Sequence, residues 1–382
     1  MRPTTLRLPD DKLPPPDAQA LATSRALLGR IGAELEASDN WMSFARYMEL
    51  VLYQPGLGYY ASGARKLGAG GDFVTAPELS PLFGRTLARQ ITQVLQPGDV
   101  ILEFGAGSGV LAEVLTFEIP GVNYQILETS PELRQRQQQK LGHRAQWLDR
   151  LPERFRGVML ANEVVDAMPV HAMAWTRDVV LERGVCVNEG QLAWSVRPVS
   201  ESVLGSAKHL EIEIPPSGRY ESELALVARA WMRSLGQCLE RGALLVIDYG
   251  FPAREYFHPQ RSMGTLACHY RHHVHGDPFY LPGLQDVTAH VDFSALARAA
   301  EDAELEVLGY TSQAQFLINC GITELLAAED PADAKRYLPA AAAAQKLLSP
   351  SEMGELFKVL AVGKGVNDPL MGFSRRDRSG AL

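Results

Sequence analysis

The chain has 382 residues, 46% of them hydrophobic, a length and balance suited to a folded core that carries insertions. Its 37 basic and 45 acidic residues leave a formal charge of −8, which gives no sign of a phosphate-binding surface, so nucleic acid is not expected as the main partner. No apolar run reaches the ~18 residues that a membrane span requires, and Cys186, Cys238, Cys268 and Cys320 form no C-x-x-C pair, so a reducing, cytoplasmic location is expected.

Residues 1–20 are polar and proline-rich, without the apolar stretch of a secretory signal or the acid-poor composition of a transit peptide. They are read as a mobile arm. Residues 21–97 are read as a helical N-terminal or lid region. Leu21, Leu27, Leu28 and Ile31, then Phe44, Tyr47, Met48 and Val51, recur at helical spacing, with Ser43 as an N-cap. The glycine- and proline-rich segment 53–80 is too long for a simple connection, and a helix follows from Pro81 to Leu95.

The pattern then becomes an alternation of strands and helices. "DVILEFG", "NYQILET", "GVMLANE", "GALLVIDYG", "LEVLGYTS" and "LFKVLAVGK" read as strands. Helices are expected over "GVLAEVLTFE", over "SPELRQRQQQKLG" with Ser130 as N-cap and Pro131 at its first position, and from Glu221 to Leu239. Such alternation predicts an α/β fold with a parallel sheet covered on both faces, over residues 98–366. Two insertions interrupt it: a β meander at about 170–200 and an irregular, histidine-rich segment at about 252–292. The tail 367–382 is expected to fray.

"VILEFGAGSGVL" joins a strand to a helix through Gly105, Ala106, Gly107, Ser108 and Gly109. Glycines there let the chain turn tightly and let a ligand approach backbone N–H groups at a helix N-terminus. The dinucleotide fingerprint G-x-G-x-x-G/A fails at Val110. Glu103, just before the turn, repels a pyrophosphate and suits a cationic ligand. Glu128 ends the next strand, with Thr129 and Ser130 beside it, where a carboxylate can take both hydroxyls of a ribose. This set fits S-adenosylmethionine better than a nicotinamide dinucleotide.

Many segments, in order from about 40 to 365, carry a family resemblance. They include "YMELVLYQPGLGYY", "GDFVTAPELSPLFG", "LEFGAGSGVLAEVL", "ANEVVDAMPVH", "GTLACHYRHH", "PGLQDVTAHVDF" and "MGELFKVLAV". The chain resembles the MidA-like class I methyltransferases, whose eukaryotic members are mitochondrial complex I assembly factors. The resemblance implies a Rossmann-like fold that binds S-adenosylmethionine. It also implies a protein substrate, with symmetric dimethylation of an arginine on a respiratory complex I subunit. It places Asp72, Phe73 and Thr75 over the cofactor, in a loop that Gly68, Gly70 and Gly71 allow to close, while the residues alone also permit an ordinary helix start at Thr75, Ala76, Pro77 and Glu78. The chain departs from the family pattern at Val164 or Val165 and at Ala76, changes that bear on the substrate pocket.

Methyl transfer to arginine needs a guanidinium that is oriented and relieved of a proton, because the group is charged at any ordinary pH. "ANEVVDAMP" follows a strand at the sheet edge that faces the cofactor, and it offers Asn162, Glu163 and Asp166. Glu163 and Asp166 are expected to clamp the guanidinium, with Asn162 positioning. The competing reading makes Asp166 a cap of the following turn and Glu163 a solvated acid. Tyr59 and Tyr60 are candidates for the cleft wall or for packing. "CHYRHHVHGD" matches no zinc spacing; with Asp286, Thr288, His290 and Asp292 it is expected to touch substrate over the cleft. No metal site is expected. Two other functions stay open: methylation of a small molecule, and a non-catalytic assembly factor that uses the fold to hold a partner.

Overall fold

The computed structural model describes residues 13–62, 75–208 and 210–382. The central sheet has eight strands, seven of them in one path: β1 (Val100–Phe104), β2 (Asn123–Leu127), β3 (Gln146–Leu148), β4 (Phe155–Asn162), β5 (Leu239–Phe251), β6 (Glu306–Ser312) and β7 (Phe357–Lys364); the short Val291–Asp292 adds to β5. Their order is β6-β7-β5-β4-β1-β2-β3. β3, β2, β1, β4 and β5 run parallel, whereas β7 is antiparallel to both β5 and β6. The chain moves outward from β1 to β3 and then returns to place β4 on the other side of β1. That reversal opens a crevice between the carboxyl ends of β1 and β4, the usual place for a ligand in such a sheet.

Alternation along the strands divides the core into two layers. Ile101, Val158, Leu160 and Leu245 face one layer, closed by helices α3 (Pro81–Val94) and α4 (Val110–Glu118). Leu102, Met159, Ala161 and Leu244 face the other, closed by α6 (Leu226–Cys238) and α7 (Phe293–Glu301). This period-two division is what a sheet buried on both faces requires. α5 (Pro131–Leu141) begins where the sequence predicts, with the Ser130 hydroxyl accepting the Leu133 N–H at 3.4 Å and Pro131 in the first turn.

The N-terminal region divides between two neighbours. α1 (Ala18–Ala37) starts inside the segment expected to be a mobile arm, because Asp17 caps it through the Ala20 N–H at 2.8 Å. α2 (Phe44–Tyr53) is capped by Ser43, as predicted. These two helices pack on the meander rather than on the central sheet, and Met42 pairs with Val185 and Ser43 with Gly184. The meander itself comprises His171–Thr176, Val180–Asn188 and Gln191–Pro198, and it gains Arg219–Leu224 as a further strand. The helix expected from Glu221 therefore starts only at Leu226. Tyr220, Ser222 and Leu224 alternate inward, and that strand pattern prevails.

The tail expected to fray is docked. Leu370 and Phe373 are buried, and the Phe373 ring lies 5.4 Å from that of Phe316. Backbone and side-chain bonds then run along the outer edge of β6: Asp377 Oδ1 accepts the Tyr310 N–H at 3.0 Å, and the Arg378 N–H donates to Tyr310 O at 2.6 Å. Apolar anchors at 370 and 373, hidden among charged residues, are the physical reason.

Candidate cofactor and acceptor site

A cavity of about 350 Å³ lies in the crevice between β1 and β4. From the end of β1 and the following turn come Glu103, Phe104, Gly105, Ala106, Gly107 and Ser108. Gly105, Gly107 and Gly109 adopt φ values of 58°, 54° and 74°, which an L side chain adopts only with strain. A Cβ on Gly105 would also press on Val164 at 3.3 Å. Gly109 does not reach the wall; it serves as N-cap of α4.

Glu103 is almost fully buried and its Oε2 accepts the Tyr124 hydroxyl at 2.8 Å. Burial pushes its carboxyl up to about 7. At the end of β2, Glu128 and Thr129 line the cavity. Glu128 is held from two sides: Oε1 accepts the Ser130 N–H at 2.9 Å, and Oε2 accepts Gln137 Nε2 at 2.9 Å. Burial raises this carboxyl too, against the pull of those donors. Ser130 thus acts behind Glu128 and as a helix cap, not on the wall.

The acceptor side begins where β4 ends. Glu163 takes a left-handed φ of 54°, and its N–H donates to Ile247 O at 2.9 Å. For a side chain with a Cβ this conformation costs on the order of 1–3 kcal/mol, and it turns Glu163 onto the cavity wall beside Asn162. Its Oε1 accepts the Ala76 N–H at 3.2 Å and Asn162 Nδ2 at 3.3 Å. Burial, reinforced by the charge of Asp166, pushes the Glu163 carboxyl up to about 8. Asp166 is buried behind the wall rather than on it. Its Oδ2 accepts the Tyr249 hydroxyl, and burial raises it to about 6. The cap of this turn is neither residue but Asp248, whose Oδ2 accepts the N–H groups of Val164, Val165 and Asp166 at 3.2, 2.9 and 3.3 Å.

Of the segment expected to cover the cofactor, Asp72 and Phe73 lie outside the described residues, as do Gly68, Gly70 and Gly71. Thr75 lines the cavity. Tyr60 does as well, whereas Tyr59 is packed in the N-terminal core. The histidine-rich stretch does not cover the cavity. Ala267–Tyr270 and His273–His275 form a hairpin paired to Asp286–Thr288, with His272 and His273 exposed. Asp286 accepts the Tyr60 hydroxyl at 2.8 Å, His290 is wedged against Tyr249 and Phe251, and Asp292 caps α7; none is on the wall. The stretch expected to touch substrate is held as sheet instead, by pairing of Ala267–Tyr270 with both His273–His275 and Asp286–Thr288.

Residues that sequence reasoning did not single out complete the wall. Tyr53 donates to Ala167 O at 2.9 Å, and Trp231 on α6 meets Phe104 edge-on at 5.3 Å. Among the described lining residues there is no lysine or arginine. Carboxylates, a glycine turn and an aromatic wall fit the amino group, sulfonium and ribose of S-adenosylmethionine.

Comparison with known proteins agrees. A model of a family of S-adenosyl-L-methionine-dependent methyltransferases matches residues 82–311, and the chain belongs to that family. The zebrafish (Danio rerio) mitochondrial protein arginine methyltransferase NDUFAF7 is 29% identical, covering 89% of this chain and 87% of its own. The Drosophila melanogaster homologue is 28% identical, covering 95% and 93%. A superfamily member from Burkholderia thailandensis, solved with S-adenosyl-homocysteine bound, is 48% identical with a TM-score of 0.92, covering 97% of this chain and all of that one. The chain is thus a methyltransferase that uses S-adenosylmethionine. The expected cytoplasmic location is overturned, since the curated relatives are mitochondrial proteins. Among the described residues, no helix is long and apolar enough to cross a membrane.

Proposed function

We propose that this methyltransferase acts on the guanidinium of an arginine in a protein, with Glu163 as the carboxylate that meets it, Asn162 positioning, and Asp166 behind the wall raising the proton affinity of Glu163. One observation supports this most. Glu163 and Asn162 stand side by side on the cavity wall where β4 ends, and Asn162 Oδ1 has no hydrogen-bond partner among the described residues. A carboxylate and an amide oxygen side by side on a wall suit a guest that only donates, and a guanidinium offers five N–H bonds and no acceptor. The names of the mitochondrial relatives support the same acceptor.

When bound, the cofactor supplies a methyl group activated by its sulfonium. The chain does the rest. Glu163 Oε1 is occupied by Ala76 and Asn162, which leaves Oε2 to grip the guanidinium and draw its charge from the attacking nitrogen. The nitrogen must give up a proton, and the ionised form of Glu163, whose carboxyl burial raises to about 8, is the form that receives it at Oε2. Tyr53, Tyr60 and Trp231 exclude water from the cleft. Symmetric dimethylation, and a respiratory complex I subunit as acceptor, are the finer form of this reading that the family resemblance supplies.

The test is transfer of labelled methyl from S-adenosylmethionine in an extract of cells that lack the protein, followed by mass spectrometry of labelled bands. Symmetric dimethylarginine that vanishes with Glu163→Gln supports the reading. Label confined to small molecules overturns it.

A further inference from the structure

Gln137 lies on α5, fully buried, and does not touch the cavity. Its amide Nε2 donates to Gly107 O at 2.9 Å and to Glu128 Oε2 at 2.9 Å. Its Oε1 accepts the Trp147 indole Nε1–H at 2.9 Å, from β3. An indole nitrogen can only donate, so the amide oxygen must face Trp147 and the NH₂ must face Gly107 and Glu128. One side chain therefore joins the glycine turn to the carboxylate of the next strand, and a third strand fixes which way it faces.

We propose that Gln137 is a positioning residue for the adenosyl part of the cofactor, holding Glu128 in register with the glycine turn so that the carboxylate meets the ribose hydroxyls. This rests on the reading of Glu128 as the ribose-binding group. Gln137 is the side-chain donor among otherwise backbone partners of Glu128, which are Ser130, Gly107 and Thr129. A neutral donor suits the role. Lysine or arginine there would neutralise the carboxylate, and an apolar side chain would let it rotate away. Within "SPELRQRQQQKLG" Gln137 resembles its neighbours, yet it is the glutamine turned to the core.

The experiment is calorimetric titration of the full chain with S-adenosylhomocysteine and with its 2′,3′-dideoxy analogue. The ratio of the two dissociation constants reports the ribose contact. Gln137→Leu is expected to weaken S-adenosylhomocysteine by about tenfold or more while changing the analogue little, so the ratio narrows. A purely structural glutamine would weaken both ligands alike, and an unchanged ratio in Gln137→Leu overturns the proposal. If Gln137→Leu does not fold, Gln137→Met gives the same reading, since it keeps the length of the side chain but cannot donate to Glu128. Glu128→Gln, measured in parallel, separates the two possible failures. If it retains the native ratio, the ribose reading of Glu128 falls and the proposal with it. If it narrows the ratio while both Gln137 variants keep it, only the role of Gln137 falls.

Discussion

Asp248 Oδ2 receives the Val165 N–H at 2.9 Å, and through this bond the end of β5 holds the turn that leaves β4. The same oxygen takes the N–H groups of Val164 and Asp166, so one buried carboxylate fixes the backbone that carries Glu163. Asp248→Ala strands those donors, at about 1–3 kcal/mol for each left unpaired, and is expected to lower both melting temperature and turnover. Asp248→Asn keeps an acceptor oxygen and is expected to fold, with kcat down about 10- to 100-fold because Glu163 is misplaced. Steady-state kinetics decide this; native turnover in Asp248→Asn would show that the turn holds itself.

Glu163→Gln removes the proton acceptor while preserving shape. A loss of about 10²- to 10⁴-fold in kcat is expected, with S-adenosylhomocysteine affinity within a few-fold of native. A matching loss in cofactor affinity, read by titration, would place Glu163 on the donor side instead.

The site also sets a pH dependence of stability. Glu103, Glu163 and Asp166 are raised to about 7, 8 and 6 from ordinary values of 4.5, 4.5 and 3.8. The native state then binds more protons than the unfolded state between those limits, so stability falls as pH rises from about 4 to about 8. The ligand-free protein is expected to melt progressively lower across that window. Glu163→Gln removes one contributor and is expected to raise the melting temperature at about pH 8 by a few degrees, with no gain at about pH 4. Calorimetry at both ends checks the sign; an equal gain at both would mean packing rather than ionisation.

Phe373 anchors the docked tail against Phe316. Phe373→Ala opens a cavity and is expected to cost about 3–5 kcal/mol, read as a lower denaturation midpoint. Cofactor affinity is expected to be unchanged, because the tail and the cavity share no residue. A large affinity loss would reveal coupling across the sheet.

What was legible in the sequence is what is local. Glu103, the glycine turn and Glu128 form a short motif on consecutive elements, and Glu163 ends a strand at the edge that opens the crevice. Glu103, Glu128 and Glu163 all reach the cavity wall. What was hidden depends on distant pairing. Tyr60 meets Asp286 across 226 positions, and Asp248 meets Val165 across 83. Gln137 was masked by a polar run, the tail's anchors by their charged neighbours. The histidine-rich stretch misled in the opposite sense, because chemically suggestive side chains stand on a hairpin whose pairing directs it elsewhere.

The position of β7 has a consequence for how the molecule assembles. It is the last strand of the sheet in chain order, yet it lies between β5 and β6 and pairs with both. A chain emerging from its N-terminus can zip β1 to β5 together as it appears, but β6 has no sheet to join until residues 357–364 arrive. A nascent or truncated chain that stops short of them exposes the apolar edge of β5, which can recruit a foreign strand. Sheet completion therefore waits for the last strand of the chain.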